Sequence, residues 1–300
     1  MNVDCAIHRA VSQALEVGQR GGGAPGAFDA NAYGGGALLF WIYAGDAATL
    51  FQDTSAATPA TADGHSVGRV ANKATGMDAV YAIQATTGNK PVFKLGVAAD
   101  GGNAIRTDGI TQGLGIYDAS GTNRSSYTNF AVFRFISGKC PFGMGGVGNT
   151  RGTYAITETR DANSGNSKDT VDVAHGWGDD MRATLTNIAA YTGEGGHSGW
   201  HVWAWRTGPS GKSSSLKMWD KGVAAAMSNP GGGADTAQST RLGSTTHPNT
   251  GWIGGSGQFG SGYNASIDLV DRIAYSGHLS DADIETLSAA LVAARGVPAS

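Results

Sequence analysis

Three short stretches of the sequence match catalytic or nucleotide-binding motifs. Residues 64–68 (GHSVG) have the pattern of a nucleophile elbow, but that elbow needs a buried strand before Ser66 and a helix after it. Residues 143–148 (GMGGVG) match a dinucleotide loop, which must open a helix, whereas a strand-like stretch follows them. Residues 211–213 (GKS) match only the end of a P-loop, because position 206 is arginine. The sequence therefore predicts no catalytic residue and no nucleotide cofactor.

The loop-rich middle of the chain combines aromatic side chains with carboxylates and histidine. Aromatic rings can stack on sugars, and carboxylates accept hydrogen bonds from hydroxyl groups. A structural or merely exposed role is the alternative for each of these side chains. We also expect the three tryptophans of residues 200–205 to share one face of a strand, either as core or as a ligand platform. The glycan-binding candidates are Trp177, Asp179, Asp180, Tyr191, His197 and Trp200.

Carboxylates and histidines give weaker signals for hydrolysis or metal binding. Glycan hydrolysis needs two carboxyl groups that flank the bond, and the chain's four glutamates are far apart in the sequence, although pairs with aspartate leave cleavage open. His197 and His201 lack the intervening glutamate of a zinc-protease helix. We therefore predict no metal and no cofactor. A calcium ion is possible but unsupported, because a loose aspartate cluster has no diagnostic spacing: Asp161, Asp169, Asp172, Asp179 and Asp180.

The composition narrows the function classes. Of 300 residues, 48 are glycine and only 15% are charged, with a formal net charge of −3, which gives no basic face for nucleic acid. Cys5 and Cys140 are too few for a disulfide framework. The N-terminus has no signal-peptide pattern, and the apolar run over residues 37–44 is too short to span a membrane. We expect synthesis in a cytoplasm without a signal peptide, and neither nucleic acid nor membrane as partner.

The chain divides into three predicted parts. Residues 1–20 contain a short amphipathic helix with Val3, Ile7, Val11 and Leu15 on one face, which we interpret as an anchor. Packing of this helix on its own domain is the alternative. Residues 21–36 form a glycine-rich linker. Residues 37–300 form a β-sandwich domain, because many short strand patterns alternate with turn signals.

The sandwich domain has ten predicted strands and one helix. Ser280 is a good N-cap, and Ile284, Leu287 and Leu291 form an apolar stripe after it. The helix ends before Gly296. The predicted strands span residues 38–43, 79–84, 92–95, 129–136, 153–159, 170–174, 182–191, 200–206, 215–219 and 266–275.

Both ends of the domain resemble a known family. The opening is similar to concanavalin A-like, laminin G-like domains of tailed-phage structural proteins over residues 46–53 (DAATLFQD), 61–64 (TADG), 67–68, 72–76 (NKATG), 82–86 and 90–93 (KPVF). The end resembles the closing strands and short helix of laminin G-like modules over residues 241–244 (RLGS), 267–275 (IDLVDRIAY) and 279–284 (LSDADI). The resemblance implies an all-β, concanavalin A-like jelly-roll sandwich of two antiparallel sheets. The sequence lacks the Glu-x-Asp-x-x-Glu signature of the family's laminarinase-type glucanases.

From this resemblance we predict a non-enzymatic structural component of a tailed-phage or phage-like particle. It would be synthesised in the bacterial cytoplasm and sit on the virion surface as a head spike, decoration, fibre or tail protein. It would bind other virion proteins through the N-terminal segment. It would form a homo-oligomer and could bind host polysaccharide. The alternatives are a free carbohydrate-binding, lectin-like module or a glycan-cleaving enzyme.

Overall fold

The computed structural model shows an antiparallel β protein with two helices, which confirms the predicted all-β class. It describes residues 28–33, 38–120, 126–138, 142–146, 154–158, 170–175, 181–184, 199–207, 216–228, 240–241, 251–254 and 264–299. The predicted N-terminal helix, with its anchoring Val3, Ile7, Val11 and Leu15, lies outside these residues. Within them, neither helix is long and apolar enough to cross a membrane.

The described strands form two sheets, which we call sheet A and sheet B. Sheet A contains β1 (Leu38–Tyr43), β5 (Val92–Lys94), β6 (Ala104–Arg106), β8 (Tyr127–Gly138), β13 (Trp200–Thr207), β14 (Lys217–Asp220), β15 (Val223–Ala224) and β19 (Ala265–Ser276). Its strand order is β15-β14-β13-β8-β19-β6-β5, and β1 also pairs with β19. The two longest strands, β8 and β19, therefore lie at its centre.

Sheet B is the larger sheet. It contains β2 (Leu50–Phe51), β3 (Arg69–Ala71), β4 (Val80–Ile83), β7 (Leu114–Asp118), β9 (Phe142–Gly146), β10 (Tyr154–Glu158), β11 (Thr170–His175), β12 (Met181–Thr184), β16 (Ala226–Ser228), β17 (Thr240–Arg241) and β18 (Gly251–Ile253). Its strand order is β16-β12-β11-β10-β9-β18-β7-β4-β3-β2, and β17 pairs with β9.

The two sheets pack face to face over a shared apolar core. Along β8, Tyr127, Phe133 and Phe135 point into this core, whereas Phe130 and Val132 lie on the opposite face of sheet A. This division follows the two-residue period of a β-strand. Sheet B contributes to the same core from seven of its strands, for example with Leu50, Val70, Ala82, Ile116, Phe142, Ala183 and Ile253. The molecule is therefore layered, with one inner and one outer face for each sheet.

Two helical segments cover part of the outer face of sheet A. Helix α1 (Ala30–Tyr33) lies within the segment that the sequence assigns to the linker, and Ala30 and Tyr33 are buried there. Helix α2 (Asp281–Ala294) follows the predicted N-cap, where the Ser280 hydroxyl accepts a hydrogen bond from the Asp283 amide at 3.1 Å. The predicted stripe on α2 is buried against the sheet: Ile284, Leu287 and Leu291.

The three tryptophans of β13 do not share one face, so that expectation is wrong. Trp203 and Trp205 point into the inter-sheet core, whereas Trp200 belongs to the apolar cluster on the outer face of sheet A. The physical reason is the strand period itself, which places residues an odd number apart on opposite faces. Trp200 is therefore separated from the other two rings by the sheet.

Candidate functional site

An arginine and two tyrosines form a stack on the outer face of sheet B. We call Arg69, Tyr81 and Tyr117 the tyrosine stack. Tyr81 on β4 pairs directly with Tyr117 on β7, and their rings are stacked, with centroids 4.7 Å apart and planes at 23°. The Arg69 guanidinium carbon lies 4.0 Å from the centroid of the Tyr81 ring. The arginine therefore closes one side of the tyrosine pair.

The strand period explains why these side chains face outward. Val70, Ala82 and Ile116 are fully buried in the inter-sheet core. The residues next to them in the chain therefore project from the other face of the sheet. Tyr81 and Tyr117 are half-buried there, so part of each ring is accessible to solvent.

A turn organised by Asp53 lies beside the stack. One terminal nitrogen of Arg69 donates to the Thr54 carbonyl at 3.2 Å. The Asp53 carboxylate accepts hydrogen bonds from the Ala57 amide at 3.0 Å and from the Ser55 hydroxyl at 2.6 Å. These hydrogen bonds, led by the Ala57 amide, hold the pKa of Asp53 well below its usual range. The carboxylate thus stays ionised and keeps the turn, and with it Arg69, in place.

The chemistry that this arrangement offers is recognition. Tyrosine rings present apolar faces with a hydroxyl tip, and the guanidinium presents several donors in a fixed plane. Arg69 Nε makes no hydrogen bond to any described residue. Among the described residues there is no group of three or more histidine, cysteine or acidic side chains that could hold a metal ion.

The structure places one of the six predicted glycan-binding residues. Trp200 is 9% exposed on the outer face of sheet A, with the Arg134 guanidinium carbon 5.4 Å from its ring centroid. It therefore lies on the side of the sandwich opposite to the tyrosine stack. The other candidates lie outside the described residues and stay predictions: Trp177, Asp179, Asp180, Tyr191 and His197.

Sequence reasoning missed the tyrosine stack. Residues 80–83 alternate between buried Val80 and Ala82 and half-buried Tyr81 and Ile83. A large aromatic residue on the exposed face of an alternating strand was the available signal. The pairing of Tyr81 with Tyr117 has no such signal, because it depends on the register between β4 and β7.

Two of the motif matches have a structural explanation. Ser66 forms an isolated bridge with Val92 and leads into strand β3, so the helix of a nucleophile elbow is missing. The first four residues of the 143–148 motif lie within strand β9. Gly143 is required there because a Cβ atom would lie 2.1 Å from the ring of Trp252. Residues 211–213 lie outside the described residues.

His201 and Asp220 form a buried pair at the inner face of sheet A. His201 Nδ1 lies 3.1 Å from an Asp220 carboxylate oxygen, and the two residues are 3% and 2% exposed. The ring centroids of Phe133 and Trp203 lie 5.9 and 5.8 Å from that of His201. His197, four residues before His201 in the sequence, lies outside the described residues.

No protein-family model and no curated protein matches the chain, but solved structures do. A sialidase of Trypanosoma rangeli matches at 13% identity and a TM-score of 0.46, over 94% of this chain and 38% of that chain. An arabinofuranosidase complexed with arabinofuranosyl-alpha-1,2-xylobiose matches at 13% identity and 0.47, over 77% of this chain and 51% of that one. Domain 4 of AbnA, a GH43 extracellular arabinanase from Geobacillus stearothermophilus, in complex with arabinotriose, matches at 13% identity and 0.37, over 84% and 98%.

These matches correct the function predicted from the sequence. They are glycosidases, or a domain of one, which contradicts both the prediction of a phage-particle component and the prediction that the chain is not an enzyme. The features behind that prediction were a glycine-rich, weakly charged composition and two short resemblances, and turn-rich β-sandwiches have these features whatever they assemble with. At 13% identity and TM-scores below 0.5, the neighbours' own activities are not transferred to this chain. It also spans about two fifths to a half of the first two proteins.

Proposed function

We propose that this chain recognises carbohydrate and that a sugar binds at the tyrosine stack. The observation that carries the proposal is the stack itself: two half-buried tyrosines and an arginine on the outer face of sheet B, whereas α1 and α2 pack on sheet A. A lectin-like module, which is one of the alternatives from the sequence, would bind sugars through the same kinds of contact. Binding of a sugar at the stack does not require any of its three side chains to act as an acid, a base or a nucleophile.

The shape and polarity of the stack fit a sugar ring. A pyranose has a face of C–H groups and a rim of hydroxyls. An aromatic ring buries the C–H face without leaving a polar group unpaired, and hydroxyl, guanidinium and backbone groups at the edge pair with the rim. In the tyrosine stack, Arg69 covers one ring face of Tyr81, so the sugar would contact the exposed parts of both tyrosines and the outer edge of Arg69.

The stack is held in one conformation before any ligand binds. Arg69 is fixed between the Tyr81 ring and the Thr54 carbonyl, and the two tyrosines belong to neighbouring paired strands. A prearranged site loses little side-chain entropy on binding. This is the property expected of a site for a flexible, well-hydrated ligand such as an oligosaccharide.

We also infer the finer fold and the assembly. We propose that the two face-to-face antiparallel sheets form a concanavalin A-like jelly roll of the laminin G-like type. The strand β19 followed directly by α2 is consistent with the resemblance at residues 267–284. A homo-oligomer is a further proposal, which light scattering of the purified chain tests.

A glycan array followed by calorimetric titration with a bound oligosaccharide tests the carbohydrate proposal. Two variants separate the contributions: Tyr117→Ala removes the ring, and Tyr117→Phe removes only the hydroxyl. We expect Tyr117→Ala to weaken binding about tenfold, because a lost aromatic contact of about 1.4 kcal/mol corresponds to that factor. We expect Tyr117→Phe to retain most of the affinity. Glu285→Ala, at an exposed position of helix α2, serves as a control for substitutions away from the stack.

The array and the titrations can each refute the tyrosine stack as the sugar site. They do so if the array gives no hits, or if wild type and Tyr117→Ala bind every hit with equal affinity. Assay of the same mixtures for new reducing ends shows whether the chain also cleaves what it binds. Circular dichroism of each variant confirms that the loss of affinity is not a loss of fold.

A further inference from the structure

Four polar and aromatic side chains form a straight row across the outer face of sheet A. The strand register aligns Trp200 with Arg134, Arg134 with Asp268, and Asp268 with Arg106. The row therefore crosses β13, β8, β19 and β6 in that order. We call Arg134, Asp268 and Arg106 the basic row. All three lie on the face of Trp200, since Arg134 contacts its ring and both arginines bond Asp268.

One buried carboxylate orients both arginines of the basic row. Arg106 donates from Nε and one terminal nitrogen to the two oxygens of Asp268, at 2.6 and 2.8 Å. Arg134 donates to Asp268 through the same pair of nitrogens, with its Nε at 3.2 Å. The Asp268 side chain is fully buried, whereas each arginine side chain is 33% exposed. The buried carboxylate thus lies between the two partly exposed guanidinium groups and holds both in place.

The basic row has an excess positive charge and free donors. Two arginines share one aspartate, which leaves a net charge of +1. The second terminal nitrogen (Nη1) of each arginine makes no hydrogen bond to a described residue. Among the described residues, Asp63 is a further charge that acts on Arg106, and Lys94 pairs with Asp63 at 2.6 Å. Hydrogen bonding to Asp268 raises the pKa of Arg106, so the row is cationic at any physiological pH.

Helix α2 leaves this part of sheet A uncovered. At its start, Asp281 accepts from Arg206 at 2.7 Å. Arg206 is six residues from Trp200 on β13, which corresponds to about 20 Å. At the end of the helix, Arg295 is paired with Asp271 on β19, which lies beyond a bulge from Asp268. The described path of the helix therefore stops before the basic row, which is consistent with the partial exposure of both arginines.

We propose that the basic row binds the carboxylate of an acidic sugar, such as a uronic acid. A carboxylate bridging the Nη1 groups of Arg106 and Arg134 would neutralise the row and receive charge-assisted hydrogen bonds from two prearranged donors. Trp200 lies beside Arg134 and closes the side of the row towards β13. The proposal rests on the chain's recognition of carbohydrate, but the basic row lies on the opposite face of the sandwich from the tyrosine stack. It is therefore a second, independent site.

Titration with a trimer of galacturonic acid tests the proposal. Its methyl ester, which has the same sugar rings without the charge, is the matched ligand control. We expect the acid to bind and the ester to bind at least about tenfold more weakly, and the affinity for the acid to fall as salt rises from about 50 to about 300 mM. Arg134→Gln and Arg106→Gln should each weaken binding of the acid about tenfold or more. Either variant leaves one arginine to neutralise Asp268, so the fold should persist.

The controls separate this proposal from the carbohydrate proposal. Lys217→Gln removes a positive charge that pairs with Asp281, beside Arg206 and away from the basic row, and should leave binding of the galacturonate trimer unchanged. In Tyr117→Ala, which alters the tyrosine stack, the acid should still bind more tightly than its ester. If Arg134→Gln does not fold, Arg134→Lys keeps the charge but loses the planar fork, and it too should weaken binding. The proposal would be overturned if wild type does not bind the acid, if acid and ester bind equally, or if both row variants bind the acid as tightly as wild type does. Neutral sugars could still bind at the tyrosine stack in each of those cases.

Discussion

Replacing Arg295 by methionine is expected to lower the free energy of unfolding by about 3–5 kcal/mol, because it would leave a buried carboxylate without its cation. Arg295 donates from Nε and one terminal nitrogen to the Asp271 carboxylate, at 2.6 and 3.1 Å. Their side chains are 1% and 0% exposed. Trp41 Nε1 also donates to Asp271, at 3.0 Å, so one neutral hydrogen bond would remain to the stranded charge.

The pKa of Arg295 shows which effect dominates in the intact pair. Burial is the largest single effect and lowers this pKa, but the charge and hydrogen bonds of Asp271, together with Tyr43 and Asp100, shift it upward overall. The guanidinium also lies 3.9 Å from the Tyr43 ring centroid. The pair therefore compensates its own desolvation only while both members are present. Substituting both, as Asp271→Asn with Arg295→Met, should be less harmful than Arg295→Met alone.

Thermal and urea unfolding of the four chains in this cycle, followed by tryptophan fluorescence, measures the coupling. For a chain of this size roughly 2 °C corresponds to 1 kcal/mol, so Arg295→Met should lower the midpoint by about 6–10 °C. Lys94→Met, which breaks the exposed pair with Asp63, is the matched control and should cost less than about 1 kcal/mol. A loss below about 1 kcal/mol in Arg295→Met, or simple additivity in the double variant, would refute the reasoning.

Three further predictions concern a buried charge, a helix cap and a glycine. Burial lowers the pKa of Arg272 to about 9, whereas the same guanidinium in the unfolded chain keeps its proton to higher pH. The free energy of unfolding of wild type should therefore rise by about 2 kcal/mol relative to that of Arg272→Met between about pH 8 and about pH 10.5, which urea unfolding measures. A constant difference would contradict this. Ser280→Ala removes the cap of α2 and should cost about 1 kcal/mol, whereas Ser280→Asp should retain stability in the same assay. Gly143→Ala should cost about 1–3 kcal/mol because its Cβ would overlap the Trp252 ring, and an unchanged melting temperature would show that the ring moves freely.

Local patterns predicted the elements that are long and periodic. Residues 38–43 match β1 at both ends, and Ser280 with the stripe after it predicted α2, because capping and burial are encoded within a few residues. Strands β2 and β15 have two residues each, which is too short to show a period. Such strands exist because their neighbours hold them, and a single-sequence pattern contains no information about neighbours.

The same limit applies more strongly to the candidate sites. Arg134 and Arg106 are 134 and 162 residues from Asp268 in the sequence. Three charges this far apart give no local motif, and each of them alone is typical of a solvated strand position. The candidates predicted from the sequence therefore lie in the loops of the middle region, where aromatic and acidic residues are close together in the chain. The structure instead places the described polar and aromatic clusters on strands.

The strand register brings residues that are far apart in the sequence together in these sites, and the apolar residues of the same strands keep that register from shifting. A shift of β19 by one residue relative to β8 would move Asp268 from the outer face of sheet A into the inter-sheet core. Such a shift would also bring Ile267 and Leu269 out of the core, where both are fully buried. The apolar residues that alternate with the charges therefore fix the register, and the register then fixes the arginines on one carboxylate. Under this view, substitutions of Ile267 or Leu269 would disturb the basic row without touching it, whereas the tyrosine stack depends in the same way on Val70, Ala82 and Ile116.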